Sequence, residues 1–248
     1  MTRVPSVGGG QGSQAFAPWD EAETFGESDV SVSLTGTQIA GESVGLLSQT
    51  ADFAVNIERD SVGTASDTIS PDVSEVEVLE VEESLYVNDC SGEGRLYVDG
   101  NLTDTATSDG DTVSTSQDVS DQSSINLTLE VEMTSSDSTY SSINLNGSSA
   151  QLFAKNGSVT IEWPAPPDVY RWDAASFQIS EDGETVGVFI EENDGTGWTE
   201  IAGPISPGDQ IAAHPNSQVR FRVELSRTDR SNNPALDAIY RRYIAAPA

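Results

Sequence analysis

The sequence is short of the residue types on which most catalytic and metal sites depend. Its 248 residues include one cysteine, Cys90, and one histidine, His214. A single cysteine excludes an intrachain disulfide and a metal site built from several cysteines. Nucleophilic catalysis needs a base beside a serine, threonine or cysteine, and no serine here stands in a GxSxG motif. We therefore expect no enzymatic activity and no cofactor, and we interpret His214 as a loop residue before a proline.

Basic residues are scarce as well. The chain has 11 lysines and arginines against 41 acidic residues, which gives a formal net charge of −30, and its single lysine is Lys155. Such a charge repels itself in ordinary buffer, whereas in molar salt the Debye length falls to about 3 Å and the repulsion is screened. This composition is similar to that of proteins from extreme halophiles. It also argues against nucleic acid and anionic membranes as partners.

Long apolar segments are missing too. No run of apolar residues approaches the length of a membrane span, so we expect no membrane insertion. The N-terminal sequence MTRVPSVGGGQGSQ lacks the apolar core of a signal peptide. If the protein acts outside a cell, we expect it to leave by a route other than general secretion.

What the chain does contain is a repeated alternation of apolar and polar residues. Apolar side chains occupy every second position from Val30 to Leu34 within the segment 28–41, and throughout the segments 125–133 and 219–225. A period of two indicates β-strands with one buried face, and serine, threonine, valine and glycine are abundant around them. No βαβ rhythm is present. The sequence therefore predicts an all-β protein with two antiparallel β-sandwich domains in tandem.

Composition also predicts where these domains begin and end. Residues 1–27 are rich in glycine, serine and glutamine near their start and are predicted to be a flexible N-terminal segment. Residues 28–163 are predicted to form the first β-sandwich domain. The sequence PAPPD at 164–168 places three prolines in four positions, which suits a stiff connector. Residues 169–248 are predicted to form the C-terminal β-sandwich domain.

The tryptophans of the second half raise the hypothesis of a carbohydrate-binding surface. Exposed aromatic rings stack on sugars, so Trp163, Trp172 and Trp198 are candidate glycan contacts, although each also fits a core position. A hydrolase would need two carboxyl groups in a cleft, and 41 acidic residues make any spacing uninformative. The Asp-rich loops 108–111 and 193–197 do not match an EF-hand, and we predict no metal site.

The arginines concentrate near the end of the chain. Residues 218–243 hold six of the eleven basic residues, namely Arg220, Arg222, Arg227, Arg230, Arg241 and Arg242. One hypothesis is that they contact the acidic surface of a neighbouring subunit. The alternative is that they form cross-strand ion pairs within the chain, which are weak at a surface and weaker in salt.

The same region carries a family resemblance. The residues involved are ETVGVFIEENDGTGWTEI at 184–201, PGDQI at 207–211 and VRFRVELSRTDRSNNPALDAIYRRY at 219–243. The strand, the SRTD sequence, the polar loop with Asn-Pro and the closing strand resemble a domain of virion proteins from tailed viruses. With the acidic composition, the chain is similar to a structural protein of a tailed virus that infects halophilic archaea. The resemblance covers about the last third of the chain.

That resemblance implies a function and a set of partners. We expect a non-catalytic component of a virus tail, baseplate or fibre, with host-surface attachment as an additional role. The alternatives are a surface-decoration or turret protein of the capsid and a carbohydrate-binding module for host glycans. The expected partners are other virion proteins and copies of the chain itself, with a trimer among the arrangements left open, and host glycans or a glycoprotein. The expected location is the virion, assembled in the host cytoplasm.

Overall fold

The computed structural model describes residues 11–16, 31–40, 43–58, 62–145, 149–163, 169–215 and 217–245. These residues form 21 β-strands, and every pairing between the strands is antiparallel. The described part contains no helix long and apolar enough to cross a membrane. The prediction of an all-β, antiparallel sandwich protein is confirmed.

The strands fall into three groups along the chain. The first group is β1 (Gln11–Phe16), β2 (Ser31–Thr35), β3 (Thr37–Ala40) and β4 (Ser43–Leu46). The second group is β5 (Ser48–Asp52), β6 (Val55–Glu58), β7 (Gly63–Ile69), β8 (Val78–Asn88), β9 (Cys90–Val98), β10 (Asn101–Ala106), β11 (Thr112–Asp118), β12 (Leu127–Ser136), β13 (Ser142–Leu145) and β14 (Ser149–Phe153). The third group is β15 (Asn156–Glu162), β16 (Val169–Trp172), β17 (Ser176–Ser180), β18 (Thr185–Asn193), β19 (Trp198–Ala202), β20 (Gln218–Ser226) and β21 (Ala235–Ala245).

The first and third groups together form one compact unit, unit 1, which comprises residues 1–47 and 155–248. Its sheet I is organised around β21, which pairs with β1, β4, β16 and β17, while β3 pairs with β4. Its sheet II has the strand order β19-β18-β20-β15-β2. The closing strand β21 therefore holds together segments from both ends of the chain.

The second group forms unit 2, residues 48–154. Its sheet III has the order β5-β14-β8-β13-β6, with β11 on β8, and its sheet IV has the order β10-β9-β12-β7. The alternating residues of β12 supply much of the core, because Leu127, Leu129, Val131 and Met133 are all fully buried. This is the face that the period-two pattern predicts.

In unit 1, β20 follows the same rule. Val219, Phe221, Val223 and Leu225 are buried between the sheets, whereas the residues between them point to the outer face of sheet II. The prediction of the buried face of this strand is confirmed. Burial of apolar side chains at alternate positions is the main force that fixes the strand register.

The division into units differs from the predicted domain boundaries. Residues 28–47 and 155–163, which the sequence assigns to the first domain, belong to unit 1. Strand β15 pairs with β20 and β2, so unit 2 is an insertion between two halves of unit 1. The prediction failed because it grouped neighbouring strands, whereas these pairings join residues 58 or more positions apart. The predicted connector 164–168 lies outside the described residues.

The predicted flexible N-terminal segment also needs correction over a short stretch. Within residues 1–27 the structure describes only 11–16, which form β1 and pair with β21 from Gln11 opposite Ile244 to Phe16 opposite Ile239. A backbone ladder can form without a strong apolar pattern, which is why sequence periodicity missed this strand. The remainder of the segment lies outside the described residues.

Candidate functional site

The outer face of sheet II carries three of the nine candidate residues from the sequence, namely Arg220, Arg222 and Trp198. Directly paired residues of an antiparallel sheet share a face. One row across this face therefore joins Thr35, Ser158, Glu224 and Gly187. The row on one side of it joins Asn156, Ser226 and Thr185, and the rows on its other side carry Arg222 with Phe189 and then Arg220 with Glu191 and Glu200.

The arginines on this face are held by carboxylates of the same chain. Arg220 Nε lies 2.5 Å from Glu191 Oε2, and Arg222 Nε lies 2.9 Å from Glu191 Oε1. Arg222 also donates to Glu200 Oε2 at 2.6 Å and to Glu224. Burial alone would raise the pKa of Glu191, but its hydrogen bonds to the two arginines and their charges outweigh burial and lower it.

Both arginines lie over aromatic rings. The guanidinium carbon of Arg220 is 4.2 Å from the ring centre of Trp198, and that of Arg222 is 4.4 Å from the ring centre of Phe189. Trp198 is half-buried. Because Arg220 covers one face of Trp198, that face is closed to a sugar ring, and Trp198 remains a glycan-contact prediction only through its other surfaces.

The other two tryptophans lie in the core. Trp163 is 0% exposed and Trp172 is 1% exposed. Trp163 packs edge-on against Phe221 at 5.7 Å, and Trp172 donates from Nε1 to the carbonyl of His214 at 2.8 Å. Rings this deeply buried cannot stack on a sugar, so the prediction that Trp163 and Trp172 contact glycans is wrong. Their alternation with polar residues is that of core strand positions.

Arg241 lies between these two buried rings. Its guanidinium carbon is 5.3 Å from the centre of Trp163 and 5.6 Å from that of Trp172, and the residue is fully buried. Burial lowers the pKa of Arg241 to about 9. Its inward direction follows from a bulge in β21, since the register against β17 shifts between Leu236 and Ala238. One extra residue in a strand reverses which side chains face the core.

Arg227, in the SRTD sequence, is buried in unit 1 and hydrogen-bonds to three separate segments of it. It is 4% exposed, and its guanidinium donates to the carbonyl oxygens of Leu47 at 2.9 Å and Asn232 at 3.5 Å. Its backbone N–H donates to the carbonyl of Lys155 at 2.8 Å. Leu47 and Lys155 are the residues of unit 1 at which unit 2 is inserted. Arg227 thus ties together the two chain ends at this insertion point.

The rest of the polar loop is anchored by Glu184. Its Oε1 accepts hydrogen bonds from the backbone N–H of Thr228 at 3.0 Å, from Thr228 Oγ1 at 2.7 Å and from Asn232 Nδ2 at 2.7 Å. These bonds lower the pKa of Glu184 to about 2. Asp182 accepts from the N–H of Asn233 at 2.9 Å. The SRTD and Asn-Pro residues of the family resemblance therefore form a loop clamp that fixes the fold.

The six arginines predicted to contact another subunit fall into three groups: two are buried, two form ion pairs within the chain and two are exposed. Arg227 and Arg241 are buried inside unit 1, so the prediction that they contact another subunit is wrong. Arg220 and Arg222 form cross-strand ion pairs within the chain, which is the alternative interpretation of the sequence. The other two, Arg230 and Arg242, are exposed, and for them subunit contact stays a prediction.

A trough of about 630 Å³ opens beside the ion pairs. Its lining includes Thr35, Ser158, Glu224 and Gly187 from the central row and Phe189 and Pro204 at one side. Sequence reasoning missed this feature. The signal was the pair Gly187 and Phe189, which alternation places on one face of β18, where a residue without a side chain leaves room for an aromatic ring to lie over it.

The residues that were considered for catalysis lie in ordinary surroundings. His214 Nδ1 is 2.8 Å from Glu192 Oε1, and its ring is 82% exposed. Cys90 is half-buried, its Sγ donates to the carbonyl of Ser142 at 3.3 Å, and burial raises the pKa of the thiol. A thiol with a raised pKa is a weak nucleophile near neutral pH.

The Asp-rich loops use their carboxylates to hold turns. Asp194 accepts from the N–H of Thr196 at 2.9 Å and from its Oγ1 at 2.6 Å, and Asp111 accepts from the N–H of Ser108 at 3.0 Å. Among the residues that the structure describes, no three or more histidine, cysteine or acidic side chains are grouped so that they could hold a metal ion.

Comparisons with known proteins add little. No protein-family model and no curated protein matches the chain. A Paenibacillus xanthan lyase is similar over 89% of this chain and 25% of its own, with 12% identity and a TM-score of 0.24. A Ruminococcus gnavus β-glucuronidase is similar over 99% and 46%, with 10% identity and a TM-score of 0.23. The structure of infectious bursal disease virus, Gx strain, is similar over 99% and 46%, with 10% identity and a TM-score of 0.16. The chain spans between a quarter and about half of these structures, and such low scores carry no argument.

Proposed function

We propose that this chain is a non-catalytic structural component of a virus particle that assembles at high salt, of the tail, baseplate or fibre kind. The observation that carries the proposal is the loop clamp of Arg227 and Glu184. These two residues belong to the sequence that resembles tailed-virus proteins, and their hydrogen bonds stabilise the β-sandwich. A stable sandwich suits a structural protein that must keep its shape in an assembly.

The charge distribution supports an environment of high salt. The outer face of sheet II carries Glu162, Glu191, Glu200 and Glu224, and the whole chain has a net charge of −30. Copies of such a chain repel each other at low ionic strength, and molar salt removes that barrier to assembly. The exposed Arg230 and Arg242 are the residues we propose for contacts with neighbouring subunits.

The test has two parts, and the first is the oligomeric state. Light scattering of the purified chain during gel filtration in molar salt should show a discrete oligomer, and Arg230→Glu together with Arg242→Glu should weaken it. A double variant that assembles like the natural chain would remove these arginines from the proposal.

The second part is location. Gold-labelled antibodies against the purified chain should decorate particles of a virus that encodes it at one structural position, and electron microscopy would separate tail from capsid surface. Particles without label, together with a chain that stays monomeric in molar salt, would overturn the proposal.

A further inference from the structure

We propose that the trough on the outer face of sheet II binds a neutral saccharide. This site goes beyond the structural role proposed above, and its residues differ from the tryptophans that the sequence suggests. Three observations carry the proposal: the shape of the trough, the chemistry of its lining and its charge.

The shape depends on a glycine beside an aromatic ring. A Cβ atom placed at Gly187 would lie 2.9 Å from Cε2 of Phe189 and 3.9 Å from Cβ of Pro204. The ring of Phe189 therefore lies across the position where any other residue would carry its side chain. Glycine at 187 lets the ring lie there, so that Phe189 and Pro204 form an apolar wall of the trough. Its volume of about 630 Å³ lies within the size range of pockets for small ligands.

The opposite part of the lining is polar and mostly uncharged. It carries the hydroxyl or amide groups of Thr35, Asn156, Ser158, Thr185 and Ser226. Neighbouring strands are about 4.8 Å apart and alternate residues of one strand about 6.6 Å apart, so these groups form a regular two-row array. Hydroxyls and amides both donate and accept, which matches the several hydroxyls of a sugar ring. The C–H face of the same ring can pack on Phe189 and Pro204.

Charge selects a neutral ligand. Glu224 is the acidic residue in the lining, and it accepts a hydrogen bond from Arg222, which also lies 4.4 Å over the ring of Phe189. Because Arg222 offsets the charge of Glu224, the trough offers a cation little net attraction. Among the described residues, the lining contains no lysine or arginine, so an anionic sugar would bury its carboxylate there without an ion-pair partner, at a desolvation cost that salt does not remove. Recognition through neutral hydrogen bonds and apolar contact also persists in molar salt, where charge attraction is screened.

The test uses the whole chain in molar salt and a panel of defined sugars. Amide chemical shifts would be followed by NMR during titration with methyl β-D-glucoside, methyl α-D-mannoside, methyl β-D-galactoside and N-acetylglucosamine, and with glucuronate as the anionic comparator. At least one neutral sugar should shift the amide signals of Ser158, Thr185, Gly187 and Glu224 in a saturable way. Glucuronate should bind at least about 10-fold more weakly than the glucoside.

Two matched variants connect binding to the trough. Thr35→Phe places a ring in the trough, whereas Ser33→Phe places the same ring on the same strand and face, two residues away and outside the lining. Both positions are exposed, so both variants should fold. Thr35→Phe should weaken binding about 10-fold or more and Ser33→Phe should leave it unchanged. Ser158→Ala, which removes one hydroxyl, should weaken it by about 3- to 10-fold.

Three results would overturn the proposal. They are saturable shifts for none of the four neutral sugars, shifts that map away from the trough, and equal effects of Thr35→Phe and Ser33→Phe. The measurement needs only the purified chain, so its failure leaves the virion proposal standing, and a monomeric chain that binds sugar would leave this one standing.

Discussion

Units 1 and 2 both contain glutamates that lie opposite each other on neighbouring strands, and in both an arginine compensates their charge. In unit 2, Glu93 and Glu132 lie directly opposite each other on β9 and β12. In unit 1, Glu191 and Glu200 lie directly opposite each other on β18 and β19. Like charges in directly opposed positions destabilise a sheet. Each unit places an arginine between such carboxylates, namely Arg95 in unit 2 and Arg222 in unit 1.

The difference between the two units lies in what else the arginine touches. Arg95 donates to Glu130 at 2.5 Å and Glu132 at 2.6 Å, and these hydrogen bonds raise its pKa in spite of partial burial. Arg222 adds a stacking contact with Phe189, and the trough opens beside it. In both units the cross-strand arginine therefore compensates opposed glutamates. In unit 1 the arginine also lies over Phe189, whose ring packs on Gly187.

The units also differ in chain continuity, since unit 2 is one continuous segment and unit 1 is two. The largest effect we predict is on the folding of fragments cut at these boundaries. Residues 48–154 are contiguous and contain both sheets of unit 2, so this fragment should fold cooperatively in molar salt. The fragment 155–248 lacks β1, β2, β3 and β4 and should stay unfolded, because β15 and β21 lose partner strands. Circular dichroism during thermal unfolding would measure both. A control in which a short Gly/Ser linker joins Leu47 to Lys155 should restore folding of unit 1, and a folded 155–248 fragment would contradict the division.

The same contrast explains how much the sequence could predict. The alternation in β12 and β20 predicts both strands and both buried faces, since local period and burial agree there. The nested arrangement depends on pairings between distant strands, on which local pattern carries no information. Arg241 and Arg242 show the limit within one strand, because only a bulge decides that the first is buried and the second exposed.

The candidate site was predicted less well than the fold. Arginines among glutamates on alternate positions indicate the ion pairs of Arg220 and Arg222, which the structure contains. The trough depends on the ring of Phe189 lying over Gly187 and against Gly203, a residue of the loop after β19. A tertiary contact of this kind has no periodicity in sequence. Of the three tryptophans among the described residues, Trp163 and Trp172 lie in the core.

The loop clamp gives the next largest effect, and it should act on unit 1 alone. Arg227→Met leaves the carbonyls of Leu47 and Asn232 without this donor and should lower the free energy of unfolding of unit 1 by about 2–4 kcal/mol. Trp163, Trp172 and Trp198 belong to unit 1 and residues 48–154 contain no tryptophan, so tryptophan fluorescence during denaturant unfolding reports unit 1 and not unit 2. Arg230→Met, on the exposed part of the same loop, should change it by less than about 0.5 kcal/mol. Equal effects of the two variants would contradict the clamp.

The clamp also predicts a pH dependence. The pKa of Glu184 falls from its ordinary 4.5 to about 2 in the folded protein. A lowered folded-state pKa gives stability that is fully present above pH 4.5 and is lost as the pH falls towards 2. Glu184→Gln should therefore destabilise unit 1 at neutral pH, and the difference from the natural chain should shrink across this window. Denaturant unfolding followed by tryptophan fluorescence at several pH values measures it, and a difference independent of pH would contradict the role of the carboxylate.

The smallest effects we predict are the stability changes on replacing Arg95 or Arg222, which test whether the aromatic contact of Arg222 adds stability. Arg95→Met and Arg222→Met should each cost about 0.2–1 kcal/mol at low salt, the usual range for surface ion pairs. In molar salt the cost of Arg95→Met should fall towards zero, because its contacts are with carboxylates. Part of the cost of Arg222→Met should remain, because stacking on Phe189 contributes about 0.5–1 kcal/mol and includes dispersion that salt does not screen. Unfolding of each variant at low and molar salt would measure this, and an equal decline for both would mean that the aromatic contact adds nothing.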